Sequence, residues 1–316
     1  MKAFFSILLC LITATSVIGQ ERESSFFILP FGYDFLRFGD QTVHRPAFGV
    51  GFLHGEQDAA FDEVDRRFFA LALYQPFFFR NVPFAGVPNH LHQIDAIFDG
   101  RIYRHQLLML FKSTADRPIA GGLSTFQAGL GWGYEIIRRQ HISLILGAAL
   151  GVSDFEISGI STPVLPLPLV RFGINTQWFT SSFEFLTGPN WDFTIASRER
   201  IRFTADMRMD HFRSINDLIF EYTLWYRFFG EDHRLGDFAG IGIGVKNDSI
   251  NFFISDNSTE FELQQRSLFA IFDLSLLRIK GGWIFNSRYL IDGNKVENSG
   301  RGFFISVQGI IPIGIR

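Results

Sequence analysis

Apolar and polar residues alternate one by one along much of this chain, and this alternation most constrains its fold. In residues 201–210 every odd-numbered position is apolar and every even-numbered position is polar or charged. Successive side chains of a β-strand point to opposite faces, so this strand has one apolar and one charged face. Residues 126–136 and 142–152 alternate likewise and are joined by the short polar link 138–141, which predicts an antiparallel hairpin. The chain is therefore predicted to be all-β.

The length of the alternating segments favours a barrel that crosses a membrane. Soluble strands usually have about five or six residues, whereas a tilted membrane-spanning strand needs about 9–11. Aromatic residues near the segment ends, such as Trp132, Tyr134, Tyr222, Trp225 and Tyr226, match the girdles found at membrane interfaces. A soluble β-sandwich also alternates, but it would have to bury the rings of 39 Phe in one layer between its sheets. A closed single antiparallel barrel is favoured because it leaves no unpaired strand edge in hydrocarbon.

The N-terminal segment has the pattern of a cleaved export signal. A positive start is followed by an apolar run over residues 3–12 and by small residues before Gln20. This run is too short for a helical anchor, which needs about 20 apolar residues. Cys10, the only cysteine, lies within it. We expect 1–19 to be the signal peptide and 20–316 to be one barrel domain.

The spacing of the alternating segments predicts about 12–14 strands. Fourteen is favoured, and 12 and 16 remain open. Besides the three segments named above, the candidate strand segments are 26–36, 44–54, 66–79, 93–103, 166–176, 178–187, 216–229, 236–246, 249–256, 261–276, 280–290 and 302–315. The polar stretches predicted to be loops are 55–65, 80–92, 187–198 and 292–300.

The end of the chain adds a resemblance. One face of the last predicted strand consists of Phe303, Ile305, Val307, Ile311, Ile313 and Ile315. The leader, the alternating strands and this terminal strand together resemble Gram-negative outer membrane β-barrel proteins as a class. The class ends its last strand with an aromatic residue, and this chain departs from that signal by ending with Arg316. The resemblance implies an outer membrane location, contact with outer membrane lipid, and recognition of the C-terminal strand by the barrel-assembly machinery.

The polar faces of the strands supply the candidate functional residues. The predicted lumen-lining set is Arg202, Asp206, Arg208, Asp210, Glu221 and Arg227. Such side chains either line a charge-selective passage or pair into a ladder that fills and stiffens the barrel. The favoured function is a pore or passive transporter for small or hydrophobic solutes. The alternative is a structural or adhesive surface barrel without transport.

The abundance of Phe bears on the solute. Phe77, Phe78 and Phe79 place aromatic rings on both faces of one strand, and lipid accounts for only one face. The other face either lines an apolar pocket or packs against a plug within the barrel.

A lipid hydrolase is the third choice. His211 and Ser214 lie close in sequence, and ester hydrolysis needs a base within hydrogen-bond reach of a hydroxyl. Residues three apart point to opposite faces of one strand, so the pair favours a polar turn, and we do not expect an enzyme. The histidines show no metal-ligand spacing, and neither a metal nor a cofactor is expected. The net charge of −3 argues against a nucleic acid partner.

Overall fold

The structure is a computed structural model, which describes residues 24–55, 66–81, 87–118, 122–157, 160–185, 189–196, 200–209, 218–229, 239–255, 259–274 and 276–315. The described strands are β1 (Ser24–Phe38), β2 (Gln41–Gly55), β3 (Arg66–Arg80), β4 (His90–Ile102), β5 (His105–Ala115), β6 (Phe126–Arg139), β7 (Ile142–Ile157), β8 (Ile160–Asn175), β9 (Phe179–Phe185), β10 (Pro189–Ala196), β11 (Ile201–Met209), β12 (Leu218–Arg227), β13 (Ala239–Ile254), β14 (Thr259–Leu274), β15 (Leu277–Ile291) and β16 (Asn294–Ile315). A single-turn 3-10 helix, Leu123–Thr125, precedes β6. No helix among these residues is long and apolar enough to span a membrane.

The strands form one closed antiparallel barrel in chain order. Each strand pairs with its sequence neighbours, and β1 closes the ring against β16, from Ser25 opposite Ile315 to Phe38 opposite Gly302. One end of the barrel holds the connections β1–β2, β3–β4 and so on to β15–β16, and we call it the upper end. The lower end holds the remaining connections and both ends of the described chain. All 16 strands therefore have both edges paired, as hydrocarbon requires.

The outer face is apolar and the inner face is mixed. On β1 the outward residues Phe27, Leu29 and Phe31 are 38–43% exposed, whereas the inward Ile28 is 1% exposed. A soluble barrel has a polar outer surface, whereas the outer surface of this barrel is apolar. Such a surface is suited to contact with the acyl chains of a membrane. The structure thus confirms the architecture predicted from the sequence, a single closed antiparallel β-barrel whose apolar face is turned outward.

The number of strands is 16, which is the largest number left open and two more than the number favoured. One added strand is β10, in a stretch that was wrongly predicted to be a loop. Its polar residues Asp192 and Thr194 alternate with Phe193 and Ile195, so the polarity of the stretch reflects an inward face and not a turn.

Two other boundaries also differ from the predictions. The described parts of the predicted strands 236–246 and 249–256 form the single strand β13, because the polar residues between them continue the sheet. The predicted loop 292–300 is only a two-residue turn at Asp292 and Gly293, whose φ angles of 47° and 74° are those of a type I′ hairpin. The predicted loop 55–65 lies mostly outside the described residues.

Trp225 is not part of an interface girdle. Tyr222, Leu224 and Tyr226 share the outward face of β12. Because successive side chains of a strand alternate between its two faces, Trp225 points inward. Its indole nitrogen donates to the Thr204 hydroxyl at 3.0 Å. Trp132 and Tyr134 do face outward, 52% and 37% exposed, as predicted.

Candidate functional site: the barrel interior

Five of the six predicted lumen-lining residues lie on the inner faces of β11 and β12. Arg202, Asp206 and Arg208 alternate on β11 with outward apolar residues, and Glu221 of β12 stands directly opposite Asp206. Arg227 is buried at the lower end of β12. Asp210, His211 and Ser214 lie outside the described residues.

The carboxylate of Glu221 is held by a lysine that the sequence did not single out. Lys280 Nζ of β15 lies 2.7 Å and 2.8 Å from the two oxygens of Glu221. The same ammonium lies 4.5 Å from the centre of the Phe269 ring. Because β12 and β15 are not neighbours in the sheet, this ion pair crosses the curved inner wall and ties four strands together.

A second ion-pair group crosses the interior between β4 and β8. Arg171 Nη1 lies 2.8 Å from Asp99 Oδ2, and Arg171 Nη2 lies 2.8 Å from Glu184 Oε2 on β9. Gln106 of β5 also donates to Asp99 at 2.6 Å. The sequence places these charges on their strands but does not predict that Asp99 and Arg171 pair, because β4 and β8 are far apart in the chain.

Glycines on β6 make room for an apolar cluster on the same wall. Gly129, Gly131 and Gly133 leave the middle of the inner face of β6 without side chains. Leu108 of β5 therefore packs across β6 with Ile145 of β7 and Leu169 of β8, and all three are at most 6% exposed. This part of the lumen wall is apolar because residues of the neighbouring strands cover the glycines of β6.

Aromatic rings fill one half of the interior near the upper end. The centre of the Phe77 ring of β3 lies 4.7 Å from that of Phe252 of β13, edge to face. Phe261 and Tyr289 stack beyond them, and Phe38 lies against Tyr289 with ring centres 6.1 Å apart. All five side chains are at most 1% exposed. The sequence leaves open whether the inward rings of this strand line an apolar pocket or pack inside the barrel. In the structure, the rings of Phe77 and Phe79 pack against other rings.

The end of β5 crosses the mouth of the barrel. In a ring of 16 strands, β5 and β13 stand opposite each other, yet Ala115 pairs with Phe253 and Asp116 N–H donates to the Phe253 carbonyl at 3.3 Å. We call this contact the cross-lumen bridge. It separates the half filled by aromatic rings from the half bounded by β6–β12.

The half bounded by β6–β12 contains inward side chains that are exposed. Ser182 of β9 lies on the inner face, where its hydroxyl donates to the carboxylate of Asp192, and it is exposed. Thr180, two residues away on the same face, is exposed as well. Inward side chains on the opposite wall, such as Leu36 and Val43, are buried. The described interior therefore has its free space beside β9.

No group of three or more His, Cys, Asp or Glu side chains in the described part of the chain is arranged to hold a metal ion.

Comparisons with known proteins give structural likeness only. No protein-family model matches the sequence, and no curated protein sequence matches it. Pseudomonas aeruginosa OpdQ is 9% identical over 94% of this chain and 100% of its own, with a TM-score of 0.36. A BenF-like porin from Pseudomonas fluorescens Pf-5 is 10% identical over 93% and 99%, with a TM-score of 0.38. Acinetobacter baumannii OccAB3 is 10% identical over 92% and 99%, with a TM-score of 0.31. At this level of similarity, function has to be argued from the residues of this chain.

Proposed function

We propose that this protein is a passive transporter of small solutes in an outer membrane, and that solutes pass through the half of the lumen bounded by β6–β12. The observation that carries the proposal is the exposure of Ser182 and Thr180 on an inner face, while inward residues of the opposite wall such as Leu36 and Val43 are buried. A polar wall with free space beside it admits water and solutes.

The wall of this passage indicates the kind of solute. Ser182, Asp192 and Thr194 supply hydroxyl and carboxylate oxygens on β9 and β10. Leu165 and Leu167 on the neighbouring β8 are inward and only half-buried. A solute with both a polar and an apolar part finds complementary contacts here, and a large hydrated ion does not.

The alternative is a structural barrel without transport, and the aromatic half favours it. Packed rings and cross-lumen ion pairs stabilise a closed interior, since narrow barrels are commonly filled by their own side chains. The two functions differ in one measurable property, which is conductance.

Cysteine accessibility tests the proposal directly, because the predicted mature chain contains no cysteine. Ser182→Cys should react with a membrane-impermeant, positively charged methanethiosulfonate, and the reaction should reduce single-channel conductance in a planar bilayer. Ser181→Cys is the matched control, because Ser181 points outward and accepts a hydrogen bond from Trp191. Absence of conductance in the wild-type protein, with a correctly folded barrel, would favour the structural alternative.

A further inference from the structure

The outer surface of β2–β4 has a polar cleft at the upper end. The cleft has a volume of about 580 Å³, and its lining includes His44, Arg80, Asn81 and His90. No Asp or Glu side chain is among its described lining residues. Arg80 is exposed and makes no ion pair with any described residue. The cleft therefore offers hydrogen-bond donors and one unneutralised cation to an anionic group.

Local contacts hold these donors in place. The hydroxyl of Tyr33 and Nδ1 of His44 are 2.6 Å apart, which leaves Nε2 of that ring for another partner. Asn81 has a positive φ of 59°, and its side chain donates to the backbone carbonyl of Asp40 at 2.9 Å. Asn readily adopts this conformation, so the end of β3 is fixed against the β1–β2 turn.

An apolar groove lies below the cleft on the same outer surface. It has a volume of about 400 Å³. Ala70 and Ala72 of β3 and Ala96 of β4 form its floor, and Phe52 and Phe98 stand beside Ala70 in register. Small residues between rows of large ones thus leave a furrow in the surface that faces the acyl chains.

The spacing of the two features matches one leaflet. Ala72 in the groove precedes Phe78 in the cleft by six residues on β3. Six residues of strand span about 20 Å, which is about 14 Å in depth at a tilt of about 45°. Half of the hydrocarbon thickness of a bilayer is about 15 Å.

We propose that the cleft and the groove together bind one anionic lipid, with its phosphate in the cleft and an acyl chain in the groove. A second copy of the protein would use the groove but would have no need of the donors above it. The inference depends on the membrane location of the barrel and is independent of transport, so a barrel without conductance can still bind the lipid.

Native mass spectrometry of the folded mature protein in detergent tests the proposal. Phosphatidylglycerol should be retained about tenfold more strongly than diacylglycerol with the same acyl chains, which is the effect of one charge-assisted hydrogen bond. Arg80→Ala combined with His90→Ala should remove this preference. Arg266→Ala, on the exposed outer face of β14, is the control and should preserve it.

The groove is tested by filling it. Ala72→Phe should weaken binding of both lipids, whereas Ala148→Phe, on the exposed outer face of β7 outside the groove, should leave it unchanged. Heat-dependent migration on a gel verifies that each variant is folded.

Three results would overturn the proposal. The first is equal retention of the two lipids by the wild-type protein. The second is full displacement of phosphatidylglycerol by inorganic phosphate, which would indicate a site for the free anion. The third is a dimer that forms without lipid and is lost in Ala72→Phe, which would assign the groove to a second copy.

Discussion

Asp116 and Ser255 are joined across the full width of the barrel, although they follow strands on opposite sides of the ring. The Asp116 carboxylate accepts hydrogen bonds from the Ser255 N–H at 2.9 Å and from the Ser255 hydroxyl at 2.8 Å. Together with the backbone pairing of Ala115 and Phe253, they hold the segment after β5 across the upper mouth. This contact crosses the upper mouth beside the half of the interior bounded by β6–β12.

Asp116→Ala should loosen the bridge. Loss of hydrogen bonds to a charged acceptor costs about 1.5–3 kcal/mol, so open events in a planar bilayer should become about tenfold more frequent. Asp40→Ala, in the exposed β1–β2 turn at the same end, is the control and should behave like the wild-type protein. Identical gating of the two variants would show that the bridge does not restrain the passage.

Reversal of charge on the inner face of β11 should change ion selectivity. Arg208 lies within electrostatic range of Asp248 on β13 and Arg45 on β2. Arg208→Glu should shift the reversal potential in a salt gradient toward cation preference, and Arg202→Glu should do so as well. Arg266→Glu, on the outer face, is the control for a change of net charge alone. Unchanged reversal potentials would mean that β11 does not line the conducting space.

A charge on the lipid-facing surface should impair membrane assembly. Leu146 is 39% exposed on the outer face of β7, and Phe203 faces outward on β11. Arginine near mid-membrane costs about 2–4 kcal/mol, so Leu146→Arg and Phe203→Arg should lower the yield of heat-modifiable protein in membranes. Leu146→Met keeps the surface apolar and should assemble normally. Equal yields for all of these variants would contradict the assigned faces.

Gly147 should not tolerate a side chain. A Cβ at this position would overlap the carbonyl oxygen of Trp132 on β6, whereas a Cβ at Gly129 has its nearest atoms at 3.9 Å. Gly147→Ala should destabilise the folded barrel by about 1–3 kcal/mol in urea unfolding. Gly129→Ala should change stability much less, and equal losses would argue against the close approach of β6 and β7.

Removing one partner of the Lys280–Glu221 ion pair should lower the stability of the barrel more than removing both charges. Lys280→Met leaves the carboxylate of Glu221 without its partner; because that carboxylate is 31% exposed, the loss should be smaller than the about 3–5 kcal/mol of a fully buried pair. Glu221→Gln in the same chain should restore most of the stability measured by urea unfolding. If the double variant were as unstable as the single one, the contact of the Lys280 ammonium with the Phe269 ring would be the main contribution.

The alternation of residues determined the local structure and the face of most side chains. The hairpin of β6 and β7 has its apolar residues outward as predicted, including Leu130 and Leu146. A period of two depends only on the backbone of one strand, so it can be read without knowledge of the neighbours. The inward orientation of Asp206 and Glu221 followed for the same reason.

The tertiary structure decided what fills the interior. Asp116 and Ser255, or Phe77 and Phe252, are far apart in the chain, and nothing in either local pattern specifies the partner. The number of strands fixes the circumference of the barrel and hence which strands stand opposite each other. This number is difficult to predict from the sequence, because a short polar strand such as β10 has the composition of a loop. A sequence period reports the face of a side chain, whereas contact across a lumen depends on closure of the whole ring.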